Sequence, residues 1–385
     1  MNIKNTYLYD VSEKLIGFDT VSFKSNSECS SYVANELQDM GFNVNIENFD
    51  DNGKLKQQIV ASTGPKVEDG IILSGHMDTV PWETQKGWTK DALKLQIDSD
   101  KLYGRGTCDM KLFIAQCLAV FRDFDLTKLK RPIVCIFTAD EEIGCLGAKR
   151  IVKNLDSLID TVPIPKTAII GEPTEFNIIN THKGIVHFDI VVKGVAGHSS
   201  RPDLGLNSIE QLGDIISLIN QINFEFQSSL DQEIQKVFPD FPYNHLHMAV
   251  VSAGSALNMI PDETRLRVSY RSFPMEPSDK VLNYFKQELS KTNIQNVYVE
   301  KEFMAPGLDK ARDNKYESIL KEITKKDTQS VSFATDAGYL SQADINCYVC
   351  GPGSIKQAHQ PDEFMELSQL THGISFINSV LEKLL

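Results

Sequence analysis

The stretch "PIVCIFTADEEIG", Pro132 to Gly144, decides the fold prediction. It begins with an apolar run of strand length, which is typical of a strand buried on both faces of a sheet. The run ends in three acids, Asp140, Glu141 and Glu142. Neighbouring carboxylates repel one another and are costly to desolvate. They therefore indicate either the solvated start of a helix, where acids are favoured, or a site that holds positive charge.

The chain around this stretch alternates helical segments with short buried strands. Residues 28–40 have the spacing of an amphipathic helix, while "GIILSGHMD" and "TAIIGEP" are apolar runs of strand length. Short apolar strands that alternate with helices are typical of a sheet covered on both sides. The sequence therefore predicts an α/β fold with a mostly parallel sheet and helices on both faces.

The pattern changes after residue 181. "GIVHFDIVVKG" and "TRLRVSYRSF" alternate apolar and polar residues, as strands with one solvated face do. Two helical segments, near 206–220 and 278–291, separate these strands. The sequence predicts a small α+β domain here, an antiparallel sheet with two helices.

The α/β pattern returns after residue 304, so we expect the small domain to be an insertion. The predicted boundaries are 1–181 and 304–385 for the first domain and 182–303 for the inserted domain. We expect the first domain to be the metal-binding catalytic domain.

The composition limits the possible partners. The chain has 385 residues, with 39 Lys and Arg against 52 Asp and Glu, a net charge of −13. This charge disfavours nucleic acid and anionic membranes as partners, but not a small-molecule substrate. There is no apolar run of membrane-spanning length and no signal-peptide pattern, and the seven cysteines form no disulfide framework. We expect a cytoplasmic protein with reduced thiols.

Acids and histidines follow several of the predicted strands or lie in the loops between elements. They are His76, Asp78, Asp109, Glu141, Glu142, Glu172 and His359. In open α/β sheets the ligand site lies at the carboxyl ends of the strands, so these side chains are predicted to meet there. Five carboxylates and two imidazoles together require cations. This donor set suits divalent transition metals such as zinc, cobalt or manganese, and two ions that share one carboxylate would neutralise the cluster.

Six stretches carry a family resemblance along nearly the whole chain. In order they are "SGHMDTVP", "LYGRGTCDMK", "TADEEIG", "GEPT", "GHSS" and "GPGSIKQAHQPDE". Together they resemble the M20 metallopeptidase family of zinc-dependent amidohydrolases. The resemblance implies that His76 and Glu172 bind one metal ion, that Glu142 and His359 bind the other, and that Asp109 bridges both.

The resemblance also implies roles in catalysis. Glu141 would be the general base, and Asp78 would hold the ring of His76 through its far nitrogen, as carboxylates do for metal-bound histidines. His198 in "GHSS" would donate a hydrogen bond to the oxyanion. A cis peptide bond is expected between Asp109 and Met110.

Three further positions match substrate contacts of related enzymes. Arg271 would bind the substrate α-carboxylate with Asn258 beside it, and Thr335 would lie near the second metal ion. A salt bridge on the strand face is the alternative for Arg271, and a helix N-cap is the alternative for Thr335 and Asp336. Leu112 departs from the family pattern, because related deacetylases usually have a small residue there.

The function that the resemblance implies is metal-dependent hydrolysis of N-acetyl-L-ornithine to L-ornithine and acetate, a step of arginine biosynthesis. It implies two divalent ions, zinc first and cobalt as the alternative, and a homodimer in which the inserted domain serves as dimerisation domain and lid. Desuccinylation of N-succinyl-diaminopimelate, broader N-acyl-amino-acid deacylation and dipeptide hydrolysis are the alternatives. A non-catalytic binding protein is disfavoured, because Glu141 and every expected metal ligand are present.

Overall fold

The computed structural model describes residues 3–311 and 315–385 of the chain. The α-helices in these residues are α1 (Tyr7–Gly17), α2 (Ser27–Asp39), α3 (Lys111–Asp123), α4 (Leu146–Leu158), α5 (Ser208–Ser228), α6 (Gln232–Val237), α7 (Lys280–Ser290), α8 (Lys315–Thr324), α9 (Ala337–Gln342) and α10 (Leu367–Glu382).

The strands are β1 (Asn43–Asp51), β2 (Lys54–Thr63), β3 (Ile71–His76), β4 (Gln96–Asp98), β5 (Lys101–Tyr103), β6 (Ile133–Thr138), β7 (Thr167–Pro173), β8 (Ile178–His182), β9 (Ile185–Lys193), β10 (Gly197–His198), β11 (His247–Ala253), β12 (Met259–Ile260), β13 (Glu263–Tyr270), β14 (Val297–Ala305), β15 (Thr328–Val331), β16 (Asn346–Gly351) and β17 (Phe364–Glu366).

The chain forms two compact units. The first comprises the described residues of Met1–Asn180, Lys310–Gln329 and Thr335–Leu385, and the second comprises Thr181–Asp309 and Ser330–Ala334. The second unit is longer at its end than the predicted range 182–303 and takes in a short separate segment. Strand β14 runs on to Ala305 in the four-stranded sheet, so the chain leaves that unit later than the sequence pattern predicts.

The large sheet confirms the predicted α/β fold. Its strand order is β1-β2-β6-β3-β7-β16-β8-β15, and β6, β3, β7 and β16 run parallel to their neighbours within that group of four. Every residue of β3, β6 and β7 is buried, as expected for central strands covered on both faces. The stretch around Pro132 therefore forms β6 at the centre of the sheet, and its three acids follow at the carboxyl end.

Helices cover both faces of this sheet. Alternate residues of β3, β6 and β7 join one large core with residues of α1, α2, α3 and α10, while α9 packs on β7 and β16 and contacts α4. Helix α3 lies close to the sheet at Gly171, where an added Cβ would come within 2.1 Å of the Phe113 ring. The candidate ligand Glu172 is the next residue, so it lies where α3 packs closely against the sheet.

The second unit confirms the predicted antiparallel sheet. Its strand order is β11-β13-β9-β14, and each neighbouring pair is antiparallel. The inward residues of β9 and β13 share a core with residues of α5 and α7, which are the two predicted helices. Helix α6, capped by Asp231, is an additional element that the sequence pattern did not predict.

Candidate metal centre

The ends of three adjacent strands bring most of the predicted ligands to one place. His76 is the last residue of β3, Glu172 is the penultimate residue of β7, and Glu141 and Glu142 lie in the turn that follows β6. Because β6, β3 and β7 are neighbours and parallel, their carboxyl ends lie at the same edge of the sheet. The cluster thus follows from the strand order.

The imidazole of His76 faces two carboxylates. Its Nε2 lies 2.9 Å from Asp109 Oδ1 and 3.7 Å from Glu172 Oε1. Its Nδ1 lies 3.0 Å from the backbone oxygen of Asp78, which can only accept, so Nδ1 carries a proton. In the neutral ring, Nε2 would then point its lone pair at negative charge. Only a second proton or a cation makes this arrangement favourable.

Asp109 connects the two histidines. While its Oδ1 faces His76, its Oδ2 lies 3.2 Å from His359 Nε2, and that nitrogen is also 3.0 Å from Glu142 Oε2. The Asp109–Met110 peptide bond is cis, as the family resemblance implies. Asp109 therefore lies between the two histidines, with one carboxylate oxygen facing each ring.

The electrostatics of the cluster show an excess of buried negative charge. Burial, together with the charge of Asp109, raises the pKa of Glu142 to about 7 and that of Glu172 well above its usual range. Burial and the charge of Glu172 likewise raise the pKa of Glu141. The carboxylates Asp109 and Glu142 hold a proton on His359, whose pKa they raise to about 10. A cation among these groups would relieve the repulsion that these shifts reflect.

The donor set fits divalent metal ions. Ligand atoms of His76, Asp109 and Glu142 lie within 4.8 Å of one another, and so do those of His76, Glu141 and Glu172. Imidazole nitrogens and carboxylate oxygens are ligands that zinc and other transition metals accept. His359 adds a further nitrogen to the first of these groups, because its Nε2 lies 3.2 Å from Asp109 Oδ2 and 3.0 Å from Glu142 Oε2.

Asp78 holds the His76 ring through its backbone oxygen, which corrects the predicted contact through the carboxylate. The carboxylate Oδ1 is 3.7 Å from Nδ1, longer than a hydrogen bond. Instead the carboxylate accepts the backbone N–H groups of Glu141 at 3.1 Å and Glu142 at 3.2 Å, and the Ser22 hydroxyl at 2.7 Å. Asp78 therefore orients the turn that carries both glutamates as well as the ring.

Asp336 is a neighbour of Glu141 that the sequence analysis considered only as a possible helix cap. It is buried, and its Oδ2 accepts the Thr138 hydroxyl at 2.6 Å. It forms no side-chain cap of α9, although its backbone occupies the N-cap position. Ligand atoms of Asp336, Cys145 and Glu141 lie within 4.8 Å of one another. Its place after Thr335 was the only signal in the sequence.

Thr335 and Leu112 are both buried in the first unit. The hydroxyl of Thr335 accepts the backbone N–H of Ala337 at 3.2 Å, which is the helix-cap alternative for this residue. Leu112 is fully buried in the first turn of α3 and belongs to the large core. It therefore contributes to helix packing.

The remaining predicted residues, His198, Asn258 and Arg271, belong to the second unit. His198 lies in β10, which pairs with β12, and the backbone N–H of Ser199 donates to the oxygen of Asn258 at 3.1 Å. His198 Nδ1 accepts the backbone N–H of Ser200 at 3.2 Å, so a neutral ring carries its proton on Nε2 and can donate there. Arg271 follows β13 and is exposed.

A family model described as peptidase family M20/M25/M40 matches residues 72–383. This range contains every predicted metal ligand. The chain belongs to this family. It is a hydrolase of the M20 type, as the ordered motifs predicted.

Relatives of known name are similar over most of their length. The acetylornithine deacetylase of Buchnera aphidicola subsp. Acyrthosiphon pisum (strain Tuc7) is 32% identical over 367 residues, which cover 93% of this chain and 92% of the relative. The acetylornithine deacetylase of Salmonella typhimurium (strain LT2) is 35% identical over 347 residues, which cover 89% of this chain and 87% of the relative. Both relatives carry the name of the same deacetylase.

Solved structures share the fold. An M20 family metallo-carboxypeptidase from Sulfolobus solfataricus matches with a TM-score of 0.78 at 16% identity, covering 99% of each chain. A Bacillus subtilis protein described as a dinuclear metal binding peptidase from the M20 family matches with a TM-score of 0.62 at 16% identity, covering 97% of this chain and 96% of that one. Among the described residues, no helix has the length and apolar character needed to cross a membrane.

Proposed function

We propose that the protein removes the acetyl group from N-acetyl-L-ornithine, giving L-ornithine and acetate, with two divalent metal ions as cofactors. The observation that carries the proposal is the convergence of His76, Asp109, Glu142, Glu172 and His359 at the carboxyl edge of the sheet. The relatives named acetylornithine deacetylase support the choice of substrate. By this inference the reaction is a step of arginine biosynthesis in the cytoplasm.

The ligands divide between the two ions as the family resemblance implies. His76 and Glu172 would hold one ion, Glu142 and His359 would hold the other, and Asp109 would hold both. Zinc is the proposed metal, with cobalt as an alternative, because both accept imidazole and carboxylate ligands. Bound there, such ions would supply Lewis-acid chemistry, that is, a lower pKa for a bound water molecule and polarisation of the amide carbonyl.

Glu141 moves the proton of the reaction. It lies beside the ligands His76 and Glu172, and burial together with the charge of Glu172 raises its pKa, which favours uptake of a proton. Glu141 takes a proton from water as the water oxygen bonds to the acetyl carbon. It then gives that proton to the ornithine nitrogen as the amide C–N bond breaks. Asp78 keeps Glu141 in place by accepting its backbone N–H.

Substrate binding is assigned to residues from both parts of the sequence. His198, whose Nε2 is available to donate, is proposed as the oxyanion donor. Arg271 and Asn258 are proposed to bind the α-carboxylate, and Thr335 to contact the substrate near the second ion. In this proposal, residues 1–181 and 304–385 form the catalytic domain, and residues 182–303 form the lid and the dimerisation surface.

A homodimer is part of the proposal. Strand β11 is at the edge of the four-stranded sheet, and its Val250 and Val251 are about half exposed. An apolar edge strand is a place where a second chain can add to a sheet. We propose that a second copy of this chain covers it. A monomer mass by light scattering would contradict the dimer.

A substrate panel tests the proposed activity. The metal-loaded protein is assayed on N-acetyl-L-ornithine, N-succinyl-diaminopimelate, N-acetyl-methionine and a dipeptide. We expect the highest kcat/KM on N-acetyl-L-ornithine. A higher value on another member would keep the hydrolase and reject this substrate.

A further inference from the structure

Glu363 is a fully buried carboxylate that lies directly behind the bridging ligand. Its Oε1 accepts the backbone N–H groups of Cys108 at 2.8 Å and Asp109 at 3.0 Å. Its Oε2 accepts Arg105 Nη1 at 2.7 Å and the backbone N–H of Gly106 at 3.1 Å. Both oxygens are thus used to fix the loop that presents Asp109.

The same network reaches the other side of the metal centre. Arg105 Nη2 donates to Gln85 Oε1 at 2.5 Å, and Gln85 Nε2 donates to the backbone oxygen of His359 at 2.6 Å. A continuous series of hydrogen bonds therefore joins the backbone of Asp109 to the backbone of His359.

His359 needs such support more than the other ligands do. Its side chain is 52% exposed, whereas those of His76 and Asp109 are 1% and 7% exposed, so packing does not fix its ring. Its backbone also has a φ of 60°, a conformation that residues other than glycine seldom adopt. The Gln85 contact is on this unusual turn.

A purely structural role does not explain the choice of groups. A buried ion pair such as Arg105–Glu363 is weak evidence for stability, because desolvation offsets its attraction. The Glu363 carboxylate accepts four N–H groups at once, and the planar Arg105 guanidinium donates in two directions. The pair therefore fixes the loop that carries Asp109 relative to Gln85, which contacts the backbone of His359.

We propose that Glu363, Arg105 and Gln85 are positioning residues that set the separation between Asp109 and His359, and with it the affinity of the metal centre. This inference rests on the metal site proposed above. Groups that orient metal ligands from behind typically contribute about 10–100-fold to metal affinity.

The first test is Gln85→Met, which keeps the size of a half-buried side chain and removes all three of its side-chain hydrogen bonds, including the one that its Oε1 accepts from Trp88 Nε1 at 3.2 Å. Binding of Co²⁺ to the metal-free protein is measured by calorimetry and by the absorption spectrum of the bound ion. We expect the affinity for one of the two ions to fall about 10–100-fold, the other to be unchanged, and the thermal unfolding temperature to stay near that of the wild type.

Two comparison variants sharpen this test. Gln360→Met makes the same change at an exposed residue next to His359. The Gln360 side chain has no hydrogen-bond partner within the described ranges, so this variant should bind both ions as the wild type does. Gln85→Glu can still accept from Arg105 but cannot donate to the His359 oxygen, so we expect it to lose as much affinity as Gln85→Met.

Glu363→Gln tests the other end of the network. Because the proposal has Asp109 bind both ions, this variant should lower the affinity for both. If it does not fold, the result of Gln85→Met decides whether the inference holds. Equal affinities in the wild type and in Gln85→Met would overturn the inference while leaving the proposed function intact. A wild-type protein that binds no divalent ion would overturn the proposed function itself.

Discussion

Replacing Lys56 by Met should destabilise the first unit strongly. The ammonium of Lys56 lies 2.5 Å from Asp140 Oδ1, and both side chains are only 1% exposed. Lys56 also donates to the backbone oxygen of Ser22, whose hydroxyl binds Asp78. Methionine has a similar length and leaves little cavity, so the variant removes the charge and the hydrogen bonds of the ammonium with little change in packing.

The expected loss follows from burial. Removing one partner of a buried ion pair leaves an uncompensated charge and costs about 3–5 kcal/mol. Lys24 provides the matched control, because its ion pairs with Asp19 and Glu83 are partly exposed, and Lys24→Met should cost about 0–1 kcal/mol. Both tryptophans of the chain, Trp82 and Trp88, lie in the first unit, so their fluorescence during denaturation reports on that unit.

A second substitution tests the cause. In the Lys56→Met background, Asp140→Asn removes the unpaired carboxylate and should recover part of the lost free energy of unfolding, a coupling that a double-mutant cycle measures. If Lys56→Met costs no more than Lys24→Met, the buried pair is not what stabilises the turn before Glu141.

Three substitutions test the proposed roles in the site. Glu141→Gln should retain both metal ions and lower kcat about 10²–10⁴-fold, because it removes the group that carries the proton; near-normal turnover would rule out this role. His359→Ala should lower the affinity for one of the two metal ions, as measured by calorimetric titration. Unchanged binding of both ions would show that His359 is not a ligand. His198→Ala should leave the metal content intact and lower kcat; an unaltered rate would remove it from the mechanism.

The ligand cluster was predictable because strand ends are visible in the sequence. Apolar runs located β3, β6 and β7, and the parallel arrangement of such strands brings His76, Glu142 and Glu172 together at one edge. The family resemblance added the prediction of which residues share an ion. The large sheet was predicted from short apolar runs, and the antiparallel sheet from the alternation of apolar and polar residues, both of which are patterns local in sequence.

The supporting groups could not be found this way. Glu363 binds a residue 254 positions away, and Lys56 binds one 84 positions away, so neither contact leaves a local pattern. The role of Asp78 was predicted through the wrong atom, because sequence does not show whether backbone or side chain faces a ring. The second compact unit runs to Asp309, past the predicted boundary at residue 303, and β14 continues to Ala305.

The most direct test of the central claim is metal removal and return. The purified protein is freed of metal by chelation, zinc is added in measured equivalents, and the release of ornithine from N-acetyl-L-ornithine is followed. We expect no turnover in the metal-free protein and recovery that is complete when two ions are bound per chain. Full turnover by protein shown to be free of metal would contradict the proposed dinuclear metal centre.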